Sequence, residues 1–166
     1  MFGKQILVAA IAAGASLLAH ADEAYVTSRS LSANTANTLA LASLEACKQQ
    51  GYQVAVAVVD RTGSLLAFNR DPLAGHHTID VATRKAYTSA SFQSTTIDLQ
   101  ARGMQALGHA ENVLIVGGGV PIRVGGHFYG AVGVSGAPAK KITGDVDEEC
   151  AQKGIAAITE ILEFAQ

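Results

Sequence analysis

The spacing of apolar and polar positions predicts a chain in which helices alternate with short strands. Residues 30–50 carry apolar side chains at helical spacing and end at Gly51, a residue typical of the position after a helix C-terminus. Residues 54–59 are almost continuously apolar and β-branched, which predicts a strand covered on both faces. Residues 64–70 follow a group of turn residues, so we expect them to form the hairpin partner of that strand.

The second half of the chain predicts further helices around a set of short strands. We expect helices over residues 78–92, 95–107 and 145–164, and strands over residues 113–116, 120–124 and 127–134. Thr78 is a candidate N-cap, and Pro121 indicates an edge strand or a bulge. Tight turns such as Gly125-Gly126 join antiparallel strands. The prediction is an α+β fold with a single antiparallel five-stranded sheet packed with helices, in one domain over residues 22–166.

The N-terminus has the pattern of a secretory signal. Lys4 supplies a positive charge, residues 6–18 are uncharged and nearly all apolar, and residues 19–21 read Ala-His-Ala, a small-x-small cleavage pattern. An uncleaved anchor or a buried helix is the alternative, although the apolar run is shorter than the roughly 20 residues that span a bilayer. We expect residues 1–21 to be removed near Ala21, which makes the protein periplasmic or secreted.

Composition and charge exclude some classes of protein but do not identify a function. The 166 residues are 49% hydrophobic and 16% charged, with a formal net charge of −2. The apolar fraction is ordinary for a folded domain, so disorder of the whole chain is excluded. Because Lys and Arg are not in excess, nothing favours binding to phosphate backbones, and we expect no nucleic-acid partner.

Cys47 and Cys150 are the only cysteines of the chain. In an exported protein they lie in an oxidising compartment, so a disulfide forms if the helices that carry them lie side by side. Two separate buried thiols, acting as small apolar side chains, explain the pattern equally well. The sequence leaves the pairing open, because it depends on the distance between the two Cα atoms.

The glycine cluster at residues 117–119 raises the question of a phosphate-binding loop. Such a loop needs a strand, then the glycines, then a helix whose N-terminus faces the anion. Here a strand is expected after the cluster and the chain has no Gly-Lys-Ser/Thr motif. The glycines therefore indicate close backbone approach, either between strands or against a flat ligand. Ser135 lacks the context of a nucleophile elbow, which argues against a serine hydrolase.

The segment with the most potential chemistry is residues 76–80, which read His-His-Thr-Ile-Asp. His77 and Asp80 are spaced to face one way at the start of a helix, and imidazole with carboxylate can bind a transition metal. Adjacent histidines point apart, so only one of His76 and His77 can join Asp80. The alternative is a solvated loop followed by a helix in which Asp80 pairs with Arg84.

Three cations flank this segment: Arg70, Arg84 and Lys85. A cationic rim around an apolar cleft suits a ligand that has an apolar body and carboxylates. Haem fits that description, with His77 or His76 on the iron and Arg70 and Lys85 on the propionates. The alternative is that these are ordinary surface charges.

Motifs along nearly the whole of residues 22–166 resemble one known family. The matching segments are residues 54–60 with Gly63, 70–71, 74–75, 77–78, 84–88, 91–92, 117–122, 130–137 and 147–151. They resemble the GlcG/HbpS family of haem-binding proteins, which is related to the C-terminal domain of PduO. Where the family pattern leads us to expect a proline, this sequence has His76, which adds a ligand or lengthens a polar loop.

The resemblance implies a profilin-like fold, assembly into homo-oligomers and haem as the cofactor. It places His77 and Thr78 in the haem-contacting region, with Arg70, Arg84 and Lys85 beside it and His77 or His76 at the iron. The leading hypothesis is an exported haem-binding protein that serves redox sensing, haem scavenging or haem breakdown. The alternatives are an enzyme that acts on a small organic acid in the same cleft and an interaction module that signals to a membrane sensor partner.

Overall fold

The structure is a computed structural model and describes residues 24–165. The predicted signal segment, residues 1–21, lies outside the described residues. The elements in chain order are α1 (Ala33–Lys48), β1 (Ala55–Val59), β2 (Leu65–Arg70), α2 (Thr78–Phe92), α3 (Thr96–Ala101), a 3₁₀ helix (Met104–His109), β3 (Gly119–Val124), β4 (His127–Ser135) and α4 (Asp145–Phe164). Within the described range, no helix is long and apolar enough to cross a bilayer.

One antiparallel sheet forms the centre of the fold, in the strand order β2-β1-β4-β3. It has four strands over residues 24–165, so the prediction of five is wrong. Residues 113–116 do not pair with any strand, because their backbone forms hydrogen bonds with side chains of α2. The Leu114 amide donates to Thr88 Oγ1 at 2.8 Å, and Arg84 Nη2 donates to the Val113 carbonyl at 3.0 Å.

The predicted hairpin turn and edge strand are confirmed. Gly125 and Gly126 both have positive φ, 56° and 78°, as a two-residue turn of type I′ requires. Pro121 lies in β3, at the edge of the sheet, where a residue without an N–H costs no ladder bond. The helix predicted over residues 95–107 is wrong as one element, because Gly103 adopts φ 70° and separates α3 from the 3₁₀ helix.

Helices cover both faces of the sheet. On one face α1 and α4 pack on the larger apolar cluster, which includes Leu39, Val56, Val132 and Ile158. On the other face α2 packs through small side chains. The buried residues of that second cluster are Ala55, Ala57, Val59, Ala82, Ala86, Ala90, Phe128 and Ala131. The use of alanine brings the axis of α2 close to the strands.

Glycines in the strands make this close approach possible. A Cβ atom at Gly133 in β4 would lie 2.1 Å from the Ala82 carbonyl oxygen, and one at Gly119 would lie 2.4 Å from the Lys85 carbonyl oxygen. Any side chain at either position would push α2 off the sheet. The close backbone approach predicted for the 117–119 cluster is therefore found. A Cβ atom at Gly118 would lie 2.6 Å from the Val134 carbonyl oxygen of β4, so strands approach each other here as predicted, and Gly119 also approaches α2.

A disulfide joins the two helices on the opposite face. Cys47 of α1 and Cys150 of α4 are bonded, with their Cα atoms 5.5 Å apart. The disulfide alternative is thus confirmed over that of two separate thiols. One helical turn further on, Gly154 allows close helix packing, since a Cβ atom there would lie 1.9 Å from Ser43 Oγ.

Removing this disulfide is expected to destabilise the protein strongly. The bond closes a loop with a sequence separation of 103 residues. Constraint of the unfolded chain by so large a loop predicts that the double variant Cys47→Ala/Cys150→Ala loses about 2–5 kcal/mol of unfolding free energy. Urea denaturation measures it, with the reduced wild type as the matched control. Equal urea midpoints for the wild type and the double variant would contradict a stabilising bond.

Glu148 predicts a pH dependence of stability. Burial, with a further contribution from the nearby Asp98 carboxylate, raises its pKa from 4.5 to about 7. The folded protein therefore retains a proton that the unfolded chain releases, and the stability due to Glu148 falls as pH rises from 4.5 to about 7.

The variant Glu148→Gln is expected to raise the melting temperature at pH 8, and to raise it less at pH 5, because glutamine carries no charge at either pH. Thermal denaturation monitored by circular dichroism measures the difference. Glu163→Gln, an exposed position on the same helix, is the control. A Glu148→Gln variant with the same pH profile as wild type would show that this carboxyl titrates normally.

Candidate functional site

The loop between β2 and α2 is fixed by the residues at its start. Arg70 Nη1 donates to the carbonyl of Ala74, and the same nitrogen lies 3.4 Å from the carbonyl of Pro72. The Asp71 carboxylate accepts from the Leu73 amide at 2.8 Å. Arg70, predicted to contact propionates, thus shapes the loop that leads to α2, and only one of its nitrogens is used for this purpose.

The imidazole of His77 lies exposed at the first turn of α2. The residue occupies the N-cap position in a helical conformation, with φ −59° and ψ −25°, and its carbonyl accepts from the Val81 amide at 3.1 Å. Its ring packs on Gly75, where a Cβ atom would lie 2.7 Å from His77 Cε1. His76, the preceding residue, is also exposed.

Thr78 does not have the role predicted for it. It is the first residue inside α2, and its side chain is buried with Oγ1 donating to the Gly75 carbonyl at 2.6 Å. The N-cap prediction for Thr78 is therefore wrong. Its predicted contact with a cofactor is also corrected, because its hydroxyl faces the backbone of the preceding loop.

A groove runs beside α2. Helical spacing puts His77, Asp80, Arg84 and Tyr87 on one side of the helix. The last three of these line a cavity of about 340 Å³ together with the β1–β2 turn. The full lining is Thr62, Gly63, Ser64, Asp80, Thr83, Arg84, Tyr87 and Asn112. His77 therefore lies one helical turn before the residue at which this groove begins.

The walls of the groove hold each other in place. The Tyr87 ring lies on Gly63, where a Cβ atom would be 2.5 Å from Tyr87 Cδ2. Arg84 is anchored by the Val113 carbonyl, and its Nη1 lies 3.5 Å from Asp80 Oδ2, so the predicted Asp80–Arg84 pair is confirmed. The Arg84 side chain is 33% exposed and keeps further N–H groups for a ligand.

Lys85, the third predicted cation, does not join this group. It is buried, and its Nζ donates to Asp147 Oδ2 at 2.8 Å and to the Val134 carbonyl at 3.0 Å. Because one residue along a helix turns the side chain by about 100°, Lys85 faces the sheet while Arg84 faces the groove. The prediction that Lys85 contacts a propionate is therefore corrected.

The Lys85–Asp147 pair is a buried polar site in its own right. Burial lowers the pKa of Lys85 and raises the pKa of Asp147, and in each case the attraction of the partner opposes the shift. The second carboxylate oxygen, Asp147 Oδ1, accepts from the Ala137 amide at 2.9 Å. Sequence reasoning missed Asp147, because an acid in the first turn of a helix is ordinary and gives no sign that it is buried.

The residues that line the site also explain what it can bind. Over residues 24–165 there is no group of three or more His, Cys, Asp or Glu side chains that could hold a metal ion by themselves. The site offers one or two exposed imidazoles, an aromatic wall and guanidinium groups. This set suits a ligand that brings its own metal and its own carboxylates.

Comparison with known proteins identifies the family. Residues 31–156 match the family described as haem degrading protein HbpS-like. The chain belongs to the HbpS-like family. The predicted resemblance to GlcG/HbpS proteins is confirmed.

Individual relatives agree with this assignment. Protein GlcG of Escherichia coli strain K12 is 32% identical over 112 residues, which cover 63% of this chain and 81% of that protein. A double mutant of HbpS from Streptomyces reticuli is 34% identical with a TM-score of 0.74, covering 94% of this chain and 99% of that one. A crystal structure of a PduOC:haem complex is 28% identical with a TM-score of 0.69, covering 78% of this chain and 95% of that one.

Removing one charge of the buried Lys85–Asp147 pair is expected to lower the unfolding free energy more than removing both charges. Lys85→Met leaves the Asp147 carboxylate buried without its cation, which predicts a loss of about 3–5 kcal/mol of unfolding free energy. Lys85→Met/Asp147→Leu removes both charges and is expected to lose less than the single variant, although the Ala137 amide then lacks its acceptor. Urea denaturation of both single variants and the double variant gives the coupling energy. A coupling energy of zero would show that the two groups stabilise the fold independently.

Proposed function

We propose that this protein binds haem on the exposed side of α2, with His77 as the iron ligand. The observation that carries the proposal is the exposed imidazole of His77, aligned with the groove of Asp80, Arg84 and Tyr87. Family membership and the haem complex of PduOC support the choice of ligand.

The chemistry of the surrounding residues fits a porphyrin. A porphyrin would bring its own metal-binding nitrogens, so a single imidazole such as that of His77 would be enough to hold it, without a group of three or more His, Cys, Asp or Glu side chains, of which there is none among the described residues. Apolar surface is available next to the groove. Leu65 pairs with Val59 in the β1–β2 ladder, which puts it on the α2 face of the sheet, and it is 53% exposed. Together with the Tyr87 ring it offers an apolar wall.

The cations on this side suit the two propionates. Arg84 lies in the groove wall, and Arg70 lies on the α2 face of the sheet because it pairs with Ala55. Each has N–H groups beyond those used by backbone carbonyls. Arg84 therefore serves as the propionate partner in place of Lys85. Asp80 lies between Arg84 and His77 in sequence, so its carboxylate favours a porphyrin whose propionates point away from it.

Bound haem supplies a redox-active iron, and the chain controls access to it. Arg70 holds the loop, Gly75 lets the His77 ring lie against the backbone, and Tyr87 closes one side of the groove. His76 is the second candidate ligand, since it is exposed next to His77. Adjacent side chains point apart at a helix start, so we assign the iron to one of them only.

Export is part of the proposal. The N-terminal pattern of residues 1–21 supports a cleaved signal and a periplasmic or secreted protein. The Cys47–Cys150 disulfide supports it as well, because such bonds persist in oxidising compartments. Redox sensing, with a membrane sensor as partner, is a role that suits a haem exposed at the surface of an exported protein.

Self-assembly is proposed on the exposed apolar residues at the end of α4. Phe164 is 83% exposed and Ile161 is 50% exposed, and Tyr25 and Val26 form a second exposed apolar stretch at the start of the described chain. Exposed apolar clusters of this kind mark contacts between proteins. A homo-oligomer would cover them.

Haem degradation is the second candidate function, and the description of the family favours it. It requires that the bound haem be consumed when an oxidant such as peroxide is added, at a rate that depends on the residues of the groove. An enzyme that acts on a small organic acid in the same cleft remains a prediction.

Titration with haemin tests the binding proposal. The purified protein is expected to give a shifted Soret band that saturates at one haem per chain or per symmetric chain pair. His77→Ala is expected to lower the affinity at least about tenfold and to change the ligand-sensitive visible bands, since the iron loses its protein ligand. His76→Ala and His109→Ala, at other exposed histidines, are the matched controls and are expected to retain the wild-type spectrum.

Two outcomes would contradict the assignment. Absence of a saturable Soret shift in the wild type would contradict the proposal that the protein binds haem. Loss of the spectrum in His76→Ala with retention in His77→Ala would show that His76, and not His77, is the iron ligand. For degradation, spectral decay with peroxide at the same rate in wild type and Tyr87→Phe/Arg84→Gln would show that the groove plays no catalytic part.

A further inference from the structure

We propose that a second pocket, at the end of the sheet where the β1–β2 and β3–β4 turns meet, binds a small anion through phosphate or carboxylate oxygens. Its volume is about 340 Å³, within the range of small-molecule sites. The pocket is lined by Thr27, Ser28, Arg29, Arg61, His127 and Phe128. It shares none of these residues with the groove beside α2.

The charge of this pocket is of one sign. The ionisable residues among its described lining are Arg29, Arg61 and His127, and no carboxylate is among them. Within residues 24–165 none of these three side chains forms an ion pair. This is notable in a chain where Asp and Glu, 14 in number, exceed Lys and Arg, 12 in number. Two guanidinium groups, Arg29 and Arg61, collected without counter-charges complement an anionic ligand.

Arg61 is held in position before any ligand arrives. Its Nη1 donates to the Phe128 carbonyl at 2.8 Å, and its guanidinium carbon lies 5.0 Å from the centre of the Phe128 ring. Stacking and a backbone hydrogen bond together remove rotamer freedom that a ligand would otherwise have to restrict. The remaining N–H groups of the planar guanidinium suit bidentate contact with an oxyanion.

Asp60, the acidic residue that precedes Arg61 in sequence, is engaged in its own turn. Asp60 Oδ1 accepts from the Thr62 amide at 2.8 Å and from the Ser64 amide at 3.0 Å, which closes the β1–β2 turn. These bonds hold the carboxylate in its own turn, and it forms no ion pair with Arg61 among the described residues. The net effect on Asp60 is a lowered pKa: burial opposes the shift, and hydrogen bonds from Thr62 and Ser64 outweigh it.

A third guanidinium, outside the pocket lining, adds to the positive field. The Arg123 guanidinium carbon lies 4.9 Å from the centre of the Phe128 ring, and its Nη2 donates to Gln93 Oε1 at 2.8 Å. The hydroxyls of Thr27 and Ser28 add neutral donors to the pocket wall. An anion here would meet both charged and neutral donors, which is the composition of a specific oxyanion site.

Calorimetric titration of the whole protein tests this inference, with inorganic phosphate and citrate as separate probes at constant ionic strength set by sodium chloride. At least one probe is expected to bind saturably, and the tighter of the two identifies the class of oxyanion. Arg61→Gln and Arg29→Gln are each expected to weaken that binding about tenfold or more. Lys153→Gln, which removes the same charge at an exposed site on α4, is the matched control and is expected to bind as the wild type does.

Absence of saturable binding of both probes would overturn the inference. Equal weakening by Arg61→Gln, Arg29→Gln and Lys153→Gln would also overturn it, because it would show that only the net charge matters. Arg29 lies before α1 and outside the sheet, so its variant tests the pocket even if Arg61→Gln disturbs the turn. Haemin titration of Arg29→Gln is expected to match the wild type, which keeps this result separate from the proposed haem site.

Discussion

The ion pair between Lys85 and Asp147 is the interaction on which the arrangement of the molecule depends. Helix α2 lies on one face of the sheet and α4 on the other, and the pair joins them past the end of β4 at 2.8 Å. Gly118 leaves room for it, since a Cβ atom there would lie 3.0 Å from Lys85 Nζ. A buried pair of this kind is weak evidence of stability but fixes one geometry, since either charge alone would be costly to bury.

The fixed orientation of α2 also determines which of its side chains face outward. Lys85 points to the sheet, so Arg84 and Tyr87 on the outer side form the groove, and the loop held by Arg70 sets His77 one turn before it. The same geometry places two guanidinium groups at separate sites. Arg84 serves the groove, whereas Arg61 belongs to the pocket at the strand turns. One scaffold therefore presents two distinct surfaces, of which one suits a flat metal-containing ligand and the other a small anion.

Local sequence patterns predicted the elements well where local forces decide. The bounds of α2 and α4 match the prediction because the periodicity of their apolar residues is contained in the segments themselves, although the cap residue expected for α2 was wrong. The prediction of a fifth strand was wrong because residues 113–116 have a strand-like pattern. Only the fold reveals that the side chains of Thr88 and Arg84 form hydrogen bonds with the backbone of this segment. The predicted propionate contact of Lys85 was wrong for a related reason. Its partner Asp147 lies 62 residues away in sequence, and the burial of a lysine cannot be inferred without knowing that partner.

A crystal structure of the haemin complex would show whether the fixed orientation of α2 presents His77 and the adjacent groove to a porphyrin. We expect iron bound to a ring nitrogen of His77, the porphyrin against Tyr87 and a propionate at Arg84, with the Lys85–Asp147 pair unchanged. Iron bound to a residue outside the loop before α2, or haem seated away from α2 altogether, would contradict this expectation.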